Sequence, residues 1–201
     1  DPVSATFWLG AFSAGAGWMV VRSGSGSDAG SRRLSGAVAL ALAAAAAFHT
    51  GLAVTGKSHL GVFWAKGREQ TETLFERWNT YSRVRVRPLG ESAPFGWGFP
   101  SDPKVKIEQN LLDIDADAAT VITKFDGDLG KVSYLKSDVI NAAYLVQPPT
   151  DAAIIGVGGG RDILSALLFG TKRIRGIEIN PALFEVLTDK FANFSGHLDR
   201  Q

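Results

Sequence analysis

Residues 152–182 read AAIIGVGGGRDILSALLFGTKRIRGIEINPA, and their order decides the fold. Residues 152–157 are a short apolar run of the kind that is buried in a parallel sheet. Gly156, Gly158, Gly159 and Gly160 crowd its end. In "RDILSALLFG" the spacing of Ile163, Leu164, Leu167 and Leu168 predicts a helix with one apolar face. After Gly170, "RIRGIEI" predicts a second strand that closes on Glu178. Strand, glycine turn, helix, strand, acid is the order of the first half of a nucleotide-binding βαβ unit. Glycines allow the sharp turn and let backbone approach a ligand without a Cβ collision. The acid, about 20 residues on, is placed to accept hydrogen bonds from both ribose hydroxyls.

The dinucleotide pattern GxGxxG fits poorly, because Gly156 and Gly158 are followed at the third place by Arg161. A bulky cation where helix and strand should close on a pyrophosphate points instead to an adenosyl ligand without a diphosphate. Arg161 is a candidate cation for a ligand carboxylate, or simply faces solvent at the helix start. Asp162 falls in the first helical turn, where the helix dipole favours a carboxylate, and reads as a cap.

Working outward, the chain divides by composition. Residues 3–21 carry no charge, and residues 34–56 carry only His49 as an ionisable group. At 1.5 Å per residue each is long enough for a ~30 Å hydrocarbon core. A polar glycine/serine link over 22–33 makes them a hairpin, and His49 reads as a packed histidine rather than a proton relay. Arg22, Arg32 and Arg33 on one side nearly balance Lys57, Lys66 and Arg68 on the other, so charge does not set the topology. Lysine plus arginine total 21 against 20 acids, which gives no basic field for nucleic acid. The absence of cysteine excludes disulfides, thiolate catalysis and cysteine zinc sites.

The middle of the chain is β-rich. Residues 60–66 and 82–88 are predicted strands, the second with Val84 and Val86 buried and Arg83, Arg85 and Arg87 wet. Residues 70–79 are predicted as a short helix with Leu74, Phe75 and Trp78 on one side. Residues 88–103, rich in proline and glycine, are predicted as a loop. Residues 104–135 should hold two or three strands turning at Asp126-Gly127. Asp113, Asp115 and Asp117 imitate a calcium loop, but Ala118 and Lys124 stand where glycine and glutamate are required, so they read as a solvated strand end. Residues 137–146 are predicted helical with Val139, Ile140, Ala143 and Tyr144 inward, ended by Pro148-Pro149.

The runs "YSRVRV", "FDGDLGKVSYL", "IIGVGGGRD" and "GIEINP" resemble the spermidine synthase family of aminopropyltransferases, within the wider class of S-adenosylmethionine-dependent methyltransferase folds. The resemblance runs from about Glu76 to the end, and is closest to bacterial members in which transmembrane helices precede the synthase-like domain. It implies an α/β chain in three parts. These are a two-span transmembrane segment over 1–56, a small β-rich domain over 57–136, and over 137–201 the first half of a Rossmann-like parallel sheet. It implies decarboxylated S-adenosylmethionine or S-adenosylmethionine as co-substrate, with no metal. The donor would be held by Gly156, Gly158, Gly159, Gly160 and Glu178, with Asp162 beside them. Tyr81, Tyr134 and Asp138 are the positions offered to an acceptor amine such as putrescine; their structural readings are core tyrosines and a helix cap. The aspartate that serves the family as base would lie beyond residue 201, so the chain reads as part of a longer protein and its catalytic residue is unassigned. The implied location is the inner membrane, with the synthase-like part cytoplasmic, and a homodimer is left open.

Two departures weaken the acceptor. Ser82 follows Tyr81 where the family has glutamine, and "YLKSDVINAAYLV" offers only Tyr134 and Asp138, with Lys136 nearby, where the family has an acid with a tyrosine-histidine-glutamate run. A methyltransferase using S-adenosylmethionine, and a non-catalytic membrane-anchored nucleoside sensor or scaffold, are therefore the alternative functions.

Overall fold

The computed structural model describes residues 1–24, 26, 28–70, 72–99 and 105–200. The chain divides into two compact units, Asp1–Phe63 and Trp64–Gln201.

The first unit is a helical hairpin. Helix α1 spans Pro2–Ser23 and α2 spans Ala29–Val54. Both are long and apolar enough to cross a membrane. Asp1 and Asp28 cap them, Asp1 accepting from the N–H groups of Val3 and Ser4 and Asp28 from that of Ser31. Of the link between them, Ser25 and Ser27 lie outside the described residues. Ser4 meets His49 and Trp18 covers Gly36, so the helices run antiparallel. His49 is buried, its Nδ1 2.9 Å from the Ser4 hydroxyl and its Nε2 3.0 Å from that of Ser58. Trp8 donates to Thr50 Oγ1 at 3.0 Å beside it. The histidine is satisfied inside an apolar hairpin, which removes most of the cost of placing it there.

The second unit begins with a two-strand ribbon, β1 (Trp64–Ala65) and β2 (Arg68–Glu69). The strand expected over 60–66 is thus only two residues long, and its turn sits at Lys66-Gly67, both at positive φ. An antiparallel sheet follows in the order β3 (Phe75–Trp78), β4 (Arg83–Ser92), β5 (Ile107–Ile114), β6 (Ala118–Thr123). The helix expected over 70–79 is therefore strand β3. Its apolar spacing suits a helix, but full pairing from Phe75↔Val86 to Trp78↔Arg83 outweighs a local preference. The loop expected over 88–103 starts later than predicted, because β4 continues to Ser92 with a register shift between Pro88 and Gly90. Residues 100–103 of that prediction lie outside the described residues.

The wet face expected for the β4 arginines is wrong for two of them. Arg83 and Arg85 are buried, because each has a carboxylate partner: Glu76 at 2.9 Å and Asp113 at 2.8 Å. The same pairing takes Asp113 out of the solvated row expected of it; Asp115 and Asp117 remain exposed. The β5–β6 hairpin turns at Asp115-Ala116, both at positive φ, rather than at Asp126-Gly127. That Asp-Gly pair instead leads into a 3₁₀ helix, Leu129–Ser137, where a further strand was expected.

A short 3₁₀ turn and helix α3 (Ala142–Val146) follow. Asp138 and Asn141 point inward there, while Val139 and Ile140 are exposed, so the polar residues take the buried face expected for the apolar ones. Then β7 (Asp151–Ile155), α4 (Arg161–Leu168) and β8 (Arg173–Ile177) form a strand–helix–strand unit with β7 and β8 parallel, Ile155 opposite Ile177. The burial expected of the 152–157 strand holds for Ile154 only; Ile155 is 83% exposed. Two strands cannot cover both faces of a parallel sheet. Helix α5 covers Pro181–Glu185 and passes into a π-helical turn, Val186–Lys190.

Two clusters hold this unit. Ile154, Ile163, Leu164 and Leu187 pack with Phe125, Val132 and Leu135. Val84, Val86, Leu112 and Ile122 of the antiparallel sheet pack on Ala182, Leu183 and Val186. The antiparallel sheet thus fixes α5, and with it the end of β8 that carries Glu178.

Candidate functional site

The four glycines leave β7 with different duties. Gly156 has φ +79° and donates its N–H to Ile177 O at 2.8 Å, extending the parallel ladder by one bond. A Cβ there would meet nothing within 4 Å. Gly158, at φ +53°, has only the Thr120 methyl near the same position, at 3.4 Å. Gly159 is buried, and a Cβ there would collide with the carbonyl of Val121 on β6. Gly160 adopts φ +82° to start α4, and a Cβ there would stand 2.7 Å from Leu198 Cδ1. Gly159 and Gly160 are therefore bare so that the turn can pack against protein. Gly156 and Gly158 alone leave open space for a ligand.

Glu178 stands one residue past β8 and reaches back across the turn. Its Oε2 accepts from the Gly158 N–H at 3.2 Å, and its Oε1 from the Asn180 N–H at 2.8 Å. A carboxylate offers about four acceptor positions, so roughly two remain for another donor pair. Gly158 and Glu178 share the wall of a cavity of about 460 Å³ with Val157, Phe184, Thr188 and Asp199. That volume lies in the range of small-molecule sites, ~300–1,000 Å³.

The neighbouring ionic pair is separate from this cavity. Arg161, at the start of α4, is buried and bonded to Asp138. Asp138 Oδ1 also accepts from the N–H groups of Ile140 (3.2 Å) and Trp97 (3.4 Å), so it caps the turn that it begins. The Trp97 ring covers the guanidinium at 5.8 Å. Gln109 holds the segment leading to Trp97 by accepting from the Phe95 N–H and donating to Ala93 O. Burial lowers the pKa of Arg161 from its ordinary value, opposed by the nearby Asp162 and Tyr134. Arg161 therefore neither faces solvent nor offers its charge to a ligand.

Asp162 is exposed in the first turn of α4, whose N-cap carries no side-chain hydrogen bond, and no bond from it to a backbone amide occurs among the described residues. Tyr134 is half-buried beside Phe99, and burial raises its pKa above the usual phenol value. Tyr81 is 56% exposed on the β3–β4 turn. Asp138 and Tyr134 thus lie together near Arg161, whereas Tyr81 lies apart on that turn. Among the described residues no three histidine, aspartate or glutamate side chains gather to hold a metal ion.

Two buried connectors escaped sequence reasoning. Asn180 caps α5 through Ala182 N–H (3.0 Å), and the Asn-Pro pair at 180–181 was a legible helix start. Asn141 donates to Ser165 Oγ at 3.0 Å, joining the turn to α4, and no local pattern announces it. No protein-family model matches the chain, and no curated protein or solved structure matches it either.

Proposed function

We propose that the cavity beside β7 and β8 binds an S-adenosyl donor, and that the chain serves an aminopropyl transfer of the spermidine synthase kind. The strand–helix–strand unit is then the start of a Rossmann-like parallel sheet. The observation that carries this reading is the meeting of the Gly158 N–H and the Glu178 carboxylate at 3.2 Å on the wall of that cavity. Bare backbone there admits the donor, and the free acceptor positions of Glu178 suit the two hydroxyls of a ribose.

Charge selects between donors. Arg161 is committed to Asp138 beneath Trp97, so it is not offered to an amino-acid carboxylate. That supports the decarboxylated donor over S-adenosylmethionine itself. In the transfer, an amine nitrogen attacks the carbon beside the sulfonium. The C–N bond forms, the C–S bond breaks with its electrons returning to sulfur, and the amine proton passes to a base. Because methylthioadenosine leaves as a neutral thioether, alignment supplies much of the acceleration. The two apolar helices would hold the protein in the inner membrane, with the transferase part on the cytoplasmic side.

The test is titration of the full chain in membranes with labelled S-adenosylmethionine and its decarboxylated form. The decarboxylated form should bind more tightly, and Glu178→Ala should lose ~1.5–3 kcal/mol, about ten- to a hundredfold in affinity. Preference for S-adenosylmethionine would turn the reading to a methyltransferase. Binding without turnover of any amine would turn it to a nucleoside sensor. No binding at all would end it.

A further inference from the structure

We infer that Asn79 and Asn180 are positioning residues for Glu178, so that the β3–β4 turn sets how strongly the site holds a sugar diol. The inference rests on the ribose reading of Glu178. A continuous chain of hydrogen bonds supports it. Asn79 Oδ1 accepts from the N–H groups of Tyr81 (2.9 Å) and Ser82 (3.0 Å). Those backbone donors fix the amide, which leaves Asn79 Nδ2 to donate to Asn180 Oδ1 at 2.6 Å. Asn180 Oδ1 also accepts from Ala182 N–H, which fixes the second amide, and its Nδ2 donates to Ser82 Oγ at 3.0 Å. The Asn180 backbone N–H then donates to Glu178 Oε1 at 2.8 Å, and Oε2 reaches Gly158.

Asn180 is 5% exposed, so water has little access to the amide at the centre of the chain. One donor orientation at Asn79 is therefore transmitted through two amides to the carboxylate. A partly buried network of this kind is sensitive to the loss of any single partner. It also ties the turn that bears exposed Tyr81 to the acid on the cavity wall, and the residues involved are separated by about 100 positions in sequence.

The test compares 5′-methylthioadenosine with its 2′,3′-dideoxy counterpart, titrated against the full chain and against Asn79→Asp. That substitution keeps the oxygen that accepts from Tyr81 and Ser82 but removes the donor to Asn180. Wild type should prefer the diol by roughly tenfold or more, as expected for hydrogen bonds to a charged group. In Asn79→Asp the preference should fall toward unity while affinity for the dideoxy compound holds. A merely structural role would weaken both compounds together, and that result overturns the inference, as does an unchanged preference. Should Asn79→Asp fail to fold by its melting curve, Ser82→Ala, which removes the acceptor for Asn180 Nδ2, is read in the same way. Absence of wild-type binding overturns the adenosyl reading and this inference with it. Binding without a diol preference removes the ribose role of Glu178 and this inference with it, and leaves the adenosyl reading standing.

Discussion

A methyl group added at Gly159 would strike the Val121 carbonyl, whereas one added at Gly156 would meet nothing within 4 Å. The two glycines look alike in sequence, yet they are required for different reasons. Gly156→Ala forces an L-residue to φ +79° and should cost about 1–2 kcal/mol, as left-handed backbone does. Gly159→Ala drives a methyl into backbone that cannot rotate away, and should cost about 3 kcal/mol, the upper end for overpacking. Chemical denaturation of the two variants in parallel checks the order; equal losses would contradict it. The glycine cluster was legible as a turn from its place between a strand and a helix. The division of labour within it was not, because Val121 lies far off in sequence and only folding brings it there.

Elements were read well where a local pattern and a long-range partner agreed, and poorly where they competed. Helix α4 followed its own spacing of Ile163, Leu164, Leu167 and Leu168. Strand β3 did not, since Leu74, Phe75 and Trp78 fit a helix until β4 offered a ladder. Charge misled in the same way: alternating valine and arginine on β4 promised a wet face, but Glu76 and Asp113 neutralise two arginines within the fold. At the start of α4 the same physics joins three segments, for Arg161 binds Asp138 and lies under Trp97. Arg161→Met should cost about 3 kcal/mol by leaving a buried carboxylate unpaired. Arg161→Met with Asp138→Leu should cost clearly less, because no charge is then stranded. Thermal unfolding followed by aromatic circular dichroism separates these; a double variant as weak as the sum of its single changes would refute the pairing.

At the scale of the whole molecule, composition marked out the apolar helices, and the antiparallel sheet and the strand–helix–strand unit fall within the second compact unit. The absence of cysteine makes the hairpin directly testable. Gly26→Cys lies between α1 and α2, and Thr55→Cys just after α2, both exposed. If each helix crosses the bilayer once, an impermeant maleimide applied to one side of sealed vesicles should label one position and spare the other. Labelling of both from the same side would mean that the hairpin does not span. The second unit carries a different lesson for anyone who would rebuild it. Since Gly159 rests on the backbone of β6, the glycine turn is shaped by a strand about 40 positions upstream as well as by its own sequence. A chimera that transplants residues 152–182 alone would bring the motif without its mould; the exchange has to begin upstream of β5, so that turn and template travel together.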